Sequence, residues 1–79
     1  MGNQNVIKMW TRGVEAKASN MRTNGKELFS YNLKIGYTDK RGNKIVLDYT
    51  TKSGNFKSKT TSNHVSSAKL VADIVENPV

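Results

Sequence analysis

Few residues in this chain could do chemistry. It holds one histidine, His64, and no cysteine. That excludes most nucleophile–base pairs and most zinc sites, which need a base beside a nucleophile or several thiolates and imidazoles together. Six carboxylates are scattered along the chain. Only Asp73 and Glu76 fall close together, on what reads as a solvated helix face. There is no glycine-rich phosphate loop. The chain is not read as an enzyme, and no cofactor or metal is expected. Cations dominate instead: 13 Lys and Arg stand against 6 Asp and Glu, for a net charge of +7. Such a surplus raises the local anion concentration and favours nucleic acid or an acidic protein as partner. The plain alternative is charge for solubility.

The candidate phosphate contacts are Lys34, Lys40, Arg41, Lys44, Lys57 and Lys59, expected on the polar face of a sheet and its hairpin loop. Asn32 and Asn43 would add hydrogen bonds to base edges or phosphates. A two- or three-stranded ribbon of this kind fits the DNA major groove. The competing reading is a solvated face whose edge lysines prevent aggregation. Thr60, Thr61 and His64 form a candidate anion site at a helix N-terminus, where unpaired N–H groups and the positive dipole end favour phosphate. A simple cap by Ser62 or Asn63 accounts for the same residues. Leu70 and Ile74 lie one turn apart, off the main apolar stripe of that helix. Either a curved sheet covers them or they belong to a dimer or partner interface. Trp10, between Lys8 and Arg12, is a core residue or a stacking platform for a base.

The elements that must position these residues follow from periodicity. Phe29, Tyr31, Leu33, Ile35 and Tyr37 alternate with Ser30, Asn32, Lys34 and Gly36, the pattern of a strand with one apolar and one polar face. The strand is predicted over residues 27–38. Residues 39–43 read as a hairpin loop with Gly42 left-handed. Residues 44–50 return as a strand with Ile45, Leu47 and Tyr49 inward. Upstream, Thr23-Asn24-Gly25 is a turn signal. Residues 6–18 read as one bent strand with Gly13 at a bulge, or as strand followed by a short helix at 14–21. Residues 51–55 read as a turn and 56–60 as a short fourth strand. Residues 62–76 are predicted as a helix with Val65, Ala68, Val71, Ala72 and Val75 in one stripe and Pro78 beyond its end. The fold class expected is α+β: a three- to four-stranded antiparallel sheet with one C-terminal helix packed on one face.

Seventy-nine residues suit one domain, with residues 1–5 a loose, flexible terminus and 6–79 the sheet and helix. A chain this short buries about 60% of its unfolded surface, and a homodimer or standing partner would supplement its core. Apolar runs are too short to cross a membrane, and the start lacks the features of a signal peptide. With no cysteine, a cytoplasmic setting is expected.

Over residues 30–75 the layout resembles the β-β-β-α modules at the N-terminus of phage and transposon integrases. The resemblance rests on a strand ending in YTDKRGNK, a second strand, a phenylalanine-led third strand and an alanine-rich capped helix. In those modules the sheet enters the DNA groove. They usually carry more arginine and an acidic helix start, whereas this helix begins SNHVSSAK. The segment TTSNHVSSAKLVA, at residues 60–72, is also similar to one in small bacteriophage proteins. That resemblance implies a phage-encoded chain acting in the host cytoplasm. Two functions follow as expectations. One is a small basic nucleic-acid-binding protein that contacts phosphates through the lysine-rich face of its sheet. The other is a protein-interaction module that inhibits a host nuclease or defence complex, its basic surface meeting an acidic host protein.

Overall fold

Val6, Ile7 and Trp10 stand at i, i+1 and i+4, which places three large apolar groups on one face of a helix. The computed structural model describes residues 2–49 and 59–77. In it, helix α1 spans Asn3–Thr11 and buries all three. The strand expected over 6–18 is therefore corrected over residues 6–11, which belong to a helix that begins at Asn3 inside the start read as loose; residues 15–17 are strand as expected. Gly13 is no bulge. It stops α1 at φ 72, with its own N–H donating to the Trp10 carbonyl and that of Val14 to the Met9 carbonyl. This is the two-bond C-terminal cap that favours a left-handed glycine.

The chain then runs through β1 (Glu15–Lys17), β2 (Met21–Asn24), β3 (Leu28–Ser30), β4 (Leu33–Thr38) and β5 (Lys44–Leu47). Each pairs antiparallel with the next. Helix α2 (Lys59–Lys69) follows, and the chain returns as β6 (Ile74–Glu76). β6 pairs parallel with β5. Among the described residues the result is a six-stranded mixed sheet in the order β1 to β6, with two helices rather than one. The sheet is larger than expected and not wholly antiparallel.

The C-terminal helix ends earlier than its apolar period suggested. Among the described residues it runs over Lys59–Lys69, so Ser62 and Asn63 lie inside it rather than capping it. Beyond it, the N–H of Asp73 donates to the Lys44 carbonyl, and the Asp73 carboxylate accepts the Lys44 N–H at 2.8 Å. Those bonds seat Ile74 and Val75 beside β5, where β-branched side chains fit the pleat. Of the predicted stripe, Val65 and Ala68 are buried and Ala72 is half-buried, whereas Val71 and Val75 are exposed. The turn at 51–55 and residues 56–58 of the fourth strand lie outside the described residues.

The long alternating strand is also corrected. It breaks at Tyr31-Asn32 into β3 and β4. A register shift follows, because Leu28 pairs with Gly36 while Phe29 pairs with Lys34. The extra residue on β4 turns Ile35 and Gly36 together toward the core. Leu28, Ser30 and Ile35 are fully buried, and Tyr31 is half exposed. On β5 the main core takes Val46, and Tyr49, just beyond the strand, packs partly buried against it. Ile45 is buried outside the main cluster, in register with Tyr37 and Ile74. The main core joins Val6, Ile7 and Trp10 of α1 and Val65 and Ala68 of α2 to Ala16, Met21, Leu28, Ile35 and Val46 of the sheet. Both helices thus cover one sheet face; on the other, among the described residues, Lys17, Arg22 and Lys34 are exposed while Ile45 is buried.

Candidate nucleic-acid interface

Strand register assembles a row on the sheet face opposite the helices. Lys17 pairs with Arg22, Arg22 with Phe29, and Phe29 with Lys34. Partners in register point to the same side, and the neighbours of these residues, Ala16, Met21, Leu28 and Ile35, point to the core. Lys17, Arg22 and Lys34 are exposed and Phe29 is half-buried. The Arg22 guanidinium lies 4.2 Å from the centre of the Phe29 ring, a cation–π contact that holds it flat on the sheet. The Lys34 ammonium bridges to Glu27 at 3.3 Å and stands 5.8 Å from the Tyr37 ring.

The carboxylates that would oppose an anion are largely engaged in holding the fold. Asp39 accepts the N–H groups of Arg41 and Asn43 across the β4–β5 loop. Those bonds hold its carboxyl below the usual range, the Asn43 N–H contributing most. Asp48 pairs with Lys69 at 3.0 Å, and Asp73 accepts the Lys44 N–H. Glu76 accepts the Tyr37 hydroxyl at 2.6 Å, which raises the phenol above its ordinary value. Glu27 accepts from Asn24 and pairs with Lys34, lowering its carboxyl. Glu15, two residues before Lys17, is the carboxylate outside this set. By contrast, Lys8, Arg12, Lys17, Lys26, Lys40, Arg41 and Lys59 make no ion pair among the described residues.

The predicted contacts do not converge. Lys34 is on the face opposite the helices. Lys40 and Arg41 are exposed in the β4–β5 loop, at the opposite end of the strands from the Tyr31-Asn32 turn. Asn43 is held in that loop by Asp39. Lys44 is half-buried, bonding Thr38 at 2.7 Å and facing the Trp10 ring at 5.7 Å on the helix-covered side. Lys59 opens α2, and Lys57 lies outside the described residues. Trp10 itself is fully buried, with its indole N–H donating to the Lys26 carbonyl, so it is no stacking platform. Lys17, Arg22 and Phe29 have no counterpart among the predicted contacts. The turn signal at Thr23-Asn24-Gly25 marks this hairpin, but the register that places Arg22 beside Phe29 is centred one residue later, on Gly25-Lys26. The six strands also correct the docking picture. Five spacings of about 4.8 Å make a sheet roughly twice as wide as the ~12 Å major groove.

Thr61 and His64 face inward. The His64 Nε2 accepts from the Asn3 amide nitrogen at 3.1 Å, and its Nδ1 meets Ser30 Oγ at 2.7 Å. With Nε2 accepting, the neutral ring carries its proton on Nδ1 and donates to Ser30. Ser30 Oγ in turn lies 3.2 Å from Thr61 Oγ1. His64 is thus no base toward Ser30, and Asn3, Ser30, Thr61 and His64 form a polar seam joining α1, β3 and α2. Thr60 is half-buried beside it.

Burial lowers the His64 pKa below the ordinary 6.5, since a charged ring loses solvation there. Below pH 6.5 the unfolded chain binds this proton and the folded chain resists it. The stability from His64 is therefore present above pH 6.5 and declines as pH falls. Asp39 and Glu27, with lowered values, lose their part only below about pH 4. We expect the urea midpoint to be lower at pH 5.5 than at pH 7.5. An unchanged midpoint would mean that His64 accepts a proton without disturbing Ser30 and Asn3.

Leu70 and Ile74 are not one patch. Leu70 is 87% exposed, beside a groove of about 410 Å³ between α1 and α2 that Ile7, Lys8 and Val71 also line. Ile74 is on β6, paired with Ile45. Among the described residues no group of side chains is arranged to hold a metal ion, and no helix is long and apolar enough to cross a membrane. The chain matches no family model, no curated protein and no solved structure.

Proposed function

We propose that this protein binds nucleic acid through the sheet face opposite its helices, with Lys17, Arg22 and Lys34 contacting phosphates. The observation that carries this reading is the in-register row Lys17–Arg22–Phe29–Lys34. Three cations and one aromatic ring stand side by side across four strands, on a rigid sheet, while most carboxylates are bound elsewhere. A chain of net charge +7 would add long-range attraction to any polyanion.

Replacing Lys17 and Arg22 together by glutamate tests the site. Affinity for labelled DNA or RNA should fall roughly tenfold or more, and the slope of log affinity against log salt should shrink by about one for each phosphate no longer neutralised. The paired change of Lys40 and Arg41 in the distant loop should have the smaller effect. Equal reductions from both pairs would sink the row as the site. No binding by the native protein at low salt would sink the nucleic-acid reading.

One observation favours a second reading, a protein-interaction module. Leu70 stands 87% exposed at the lip of the groove between the helices. Val71 and Ile7 line the same groove, and contiguous apolar surface of this kind marks contact sites. A complex captured from host lysate that survives nuclease treatment supports this reading. Disappearance of the complex on treatment supports the first.

A further inference from the structure

We infer that the ligand of this face is single-stranded nucleic acid, with one unstacked base held against Tyr31. The inference rests on the nucleic-acid reading above and names its substrate class. The two-residue turn between β3 and β4 carries a tyrosine at φ 56. Hairpins ordinarily reserve positive φ for glycine, asparagine or aspartate, because a side chain crowds the backbone there. A bulky residue held in that conformation points to a use for its side chain.

Tyr31 is half exposed, and its ring leans on the His64 ring, with centroids 6.3 Å apart. The backbone is pinned as well, since the Tyr31 N–H donates to the Asn20 carbonyl at 2.8 Å. Tyr31 is therefore a firmly placed aromatic surface. It lines a cleft of about 290 Å³ together with Lys17, Asn20, Arg22 and Asn32. Two of these are the cations that begin the row on the face opposite the helices. The cleft thus offers a ring for stacking, amides for base edges and two cations for the flanking phosphates, all at one end of the strands.

Duplex geometry does not suit this arrangement. A sheet of six strands is too wide to enter a ~12 Å groove. A base paired within a helix cannot turn its face to Tyr31. Single strands can splay their bases onto aromatic side chains while the backbone follows a basic track.

The test is fluorescence anisotropy with labelled oligonucleotides of equal length: single-stranded DNA, single-stranded RNA and duplex DNA. The proteins are the native chain, Tyr31→Asn and Tyr31→Phe. Asparagine accepts the left-handed backbone, so its variant keeps the turn and removes only the ring. A thermal melt checks that each variant is folded. We expect single strands to bind more tightly than duplex at the same salt. Tyr31→Asn should weaken single-strand affinity about 5- to 150-fold with an unchanged salt slope, and Tyr31→Phe should retain most of it. Duplex preference, or native single-strand affinity in Tyr31→Asn, overturns this inference while leaving nucleic-acid binding in place. Failure of every oligonucleotide to bind at low salt overturns both. The DNA and RNA arms assign the sugar.

Discussion

Replacing Trp10 by alanine should lower the stability of the fold by about 3–5 kcal/mol, from a quarter to the whole of what a domain of this length has. Trp10 is fully buried at the centre of the main cluster. Its ring fills the space over Gly36, where a side chain's first carbon would stand 3.0 Å from it. Emptying such a site costs about 3–5 kcal/mol, from forfeited transfer energy plus the cavity left behind. A domain of this length has only about 4–12 kcal/mol in all, on a per-residue scale. Trp10→Phe separates packing from hydrogen bonding. The Lys26 carbonyl accepts from both the indole N–H and the Thr38 hydroxyl, so phenylalanine leaves no acceptor without a partner. That variant should cost only about 1–2 kcal/mol. Circular dichroism during urea unfolding reads both. A cooperative Trp10→Ala transition near the native midpoint would show that the core closes over the gap.

Gly25→Ala is the second large expected effect. Two loops meet where the glycine that ends α1 faces the β2–β3 turn. A methyl group on Gly25 would stand 2.8 Å from the Gly13 carbonyl oxygen, and the residue sits at φ 96. Neither problem is relieved by rotating a side chain, because the obstructing atom is backbone. The turn cannot swing freely either. The Asn24 side chain accepts the N–H groups of Lys26 and Glu27, and Thr23 Oγ1 accepts that of Gly25. The conformational and steric costs together come to about 2–4 kcal/mol. Gly42→Ala is the control. It shares the positive φ, at 86°, but meets nothing within 4 Å, so it should cost only about 1–2 kcal/mol. Equal destabilisation by the two substitutions would show that the loops part easily and that their close approach is not a constraint.

The sequence by itself determined the features that depend on neighbours in the chain. The Asn24-Gly25 turn and the 39–43 loop with left-handed Gly42 formed as read, because asparagine, aspartate and glycine satisfy a turn from within four residues. The strand at 44–47, the helical character around residues 62–69 and the α+β class were legible for the same reason. Tertiary structure decided what local pattern left degenerate. Val6 and Trp10 fit both a strand parity and, with Ile7, a helix face, and only packing against β1 and β2 selects the helix. Ile74 and Val75 extend a helical period, yet their bonds to β5 through Asp73 make them a strand. The phase of 29–37 depended on one extra residue in β4, which a single strand's alternation cannot reveal. The binding row follows from the same fact. Lys17, Arg22, Phe29 and Lys34 are far enough apart in the chain to share no motif. They become neighbours only when four strands pair in register, on the sheet face opposite the two helices.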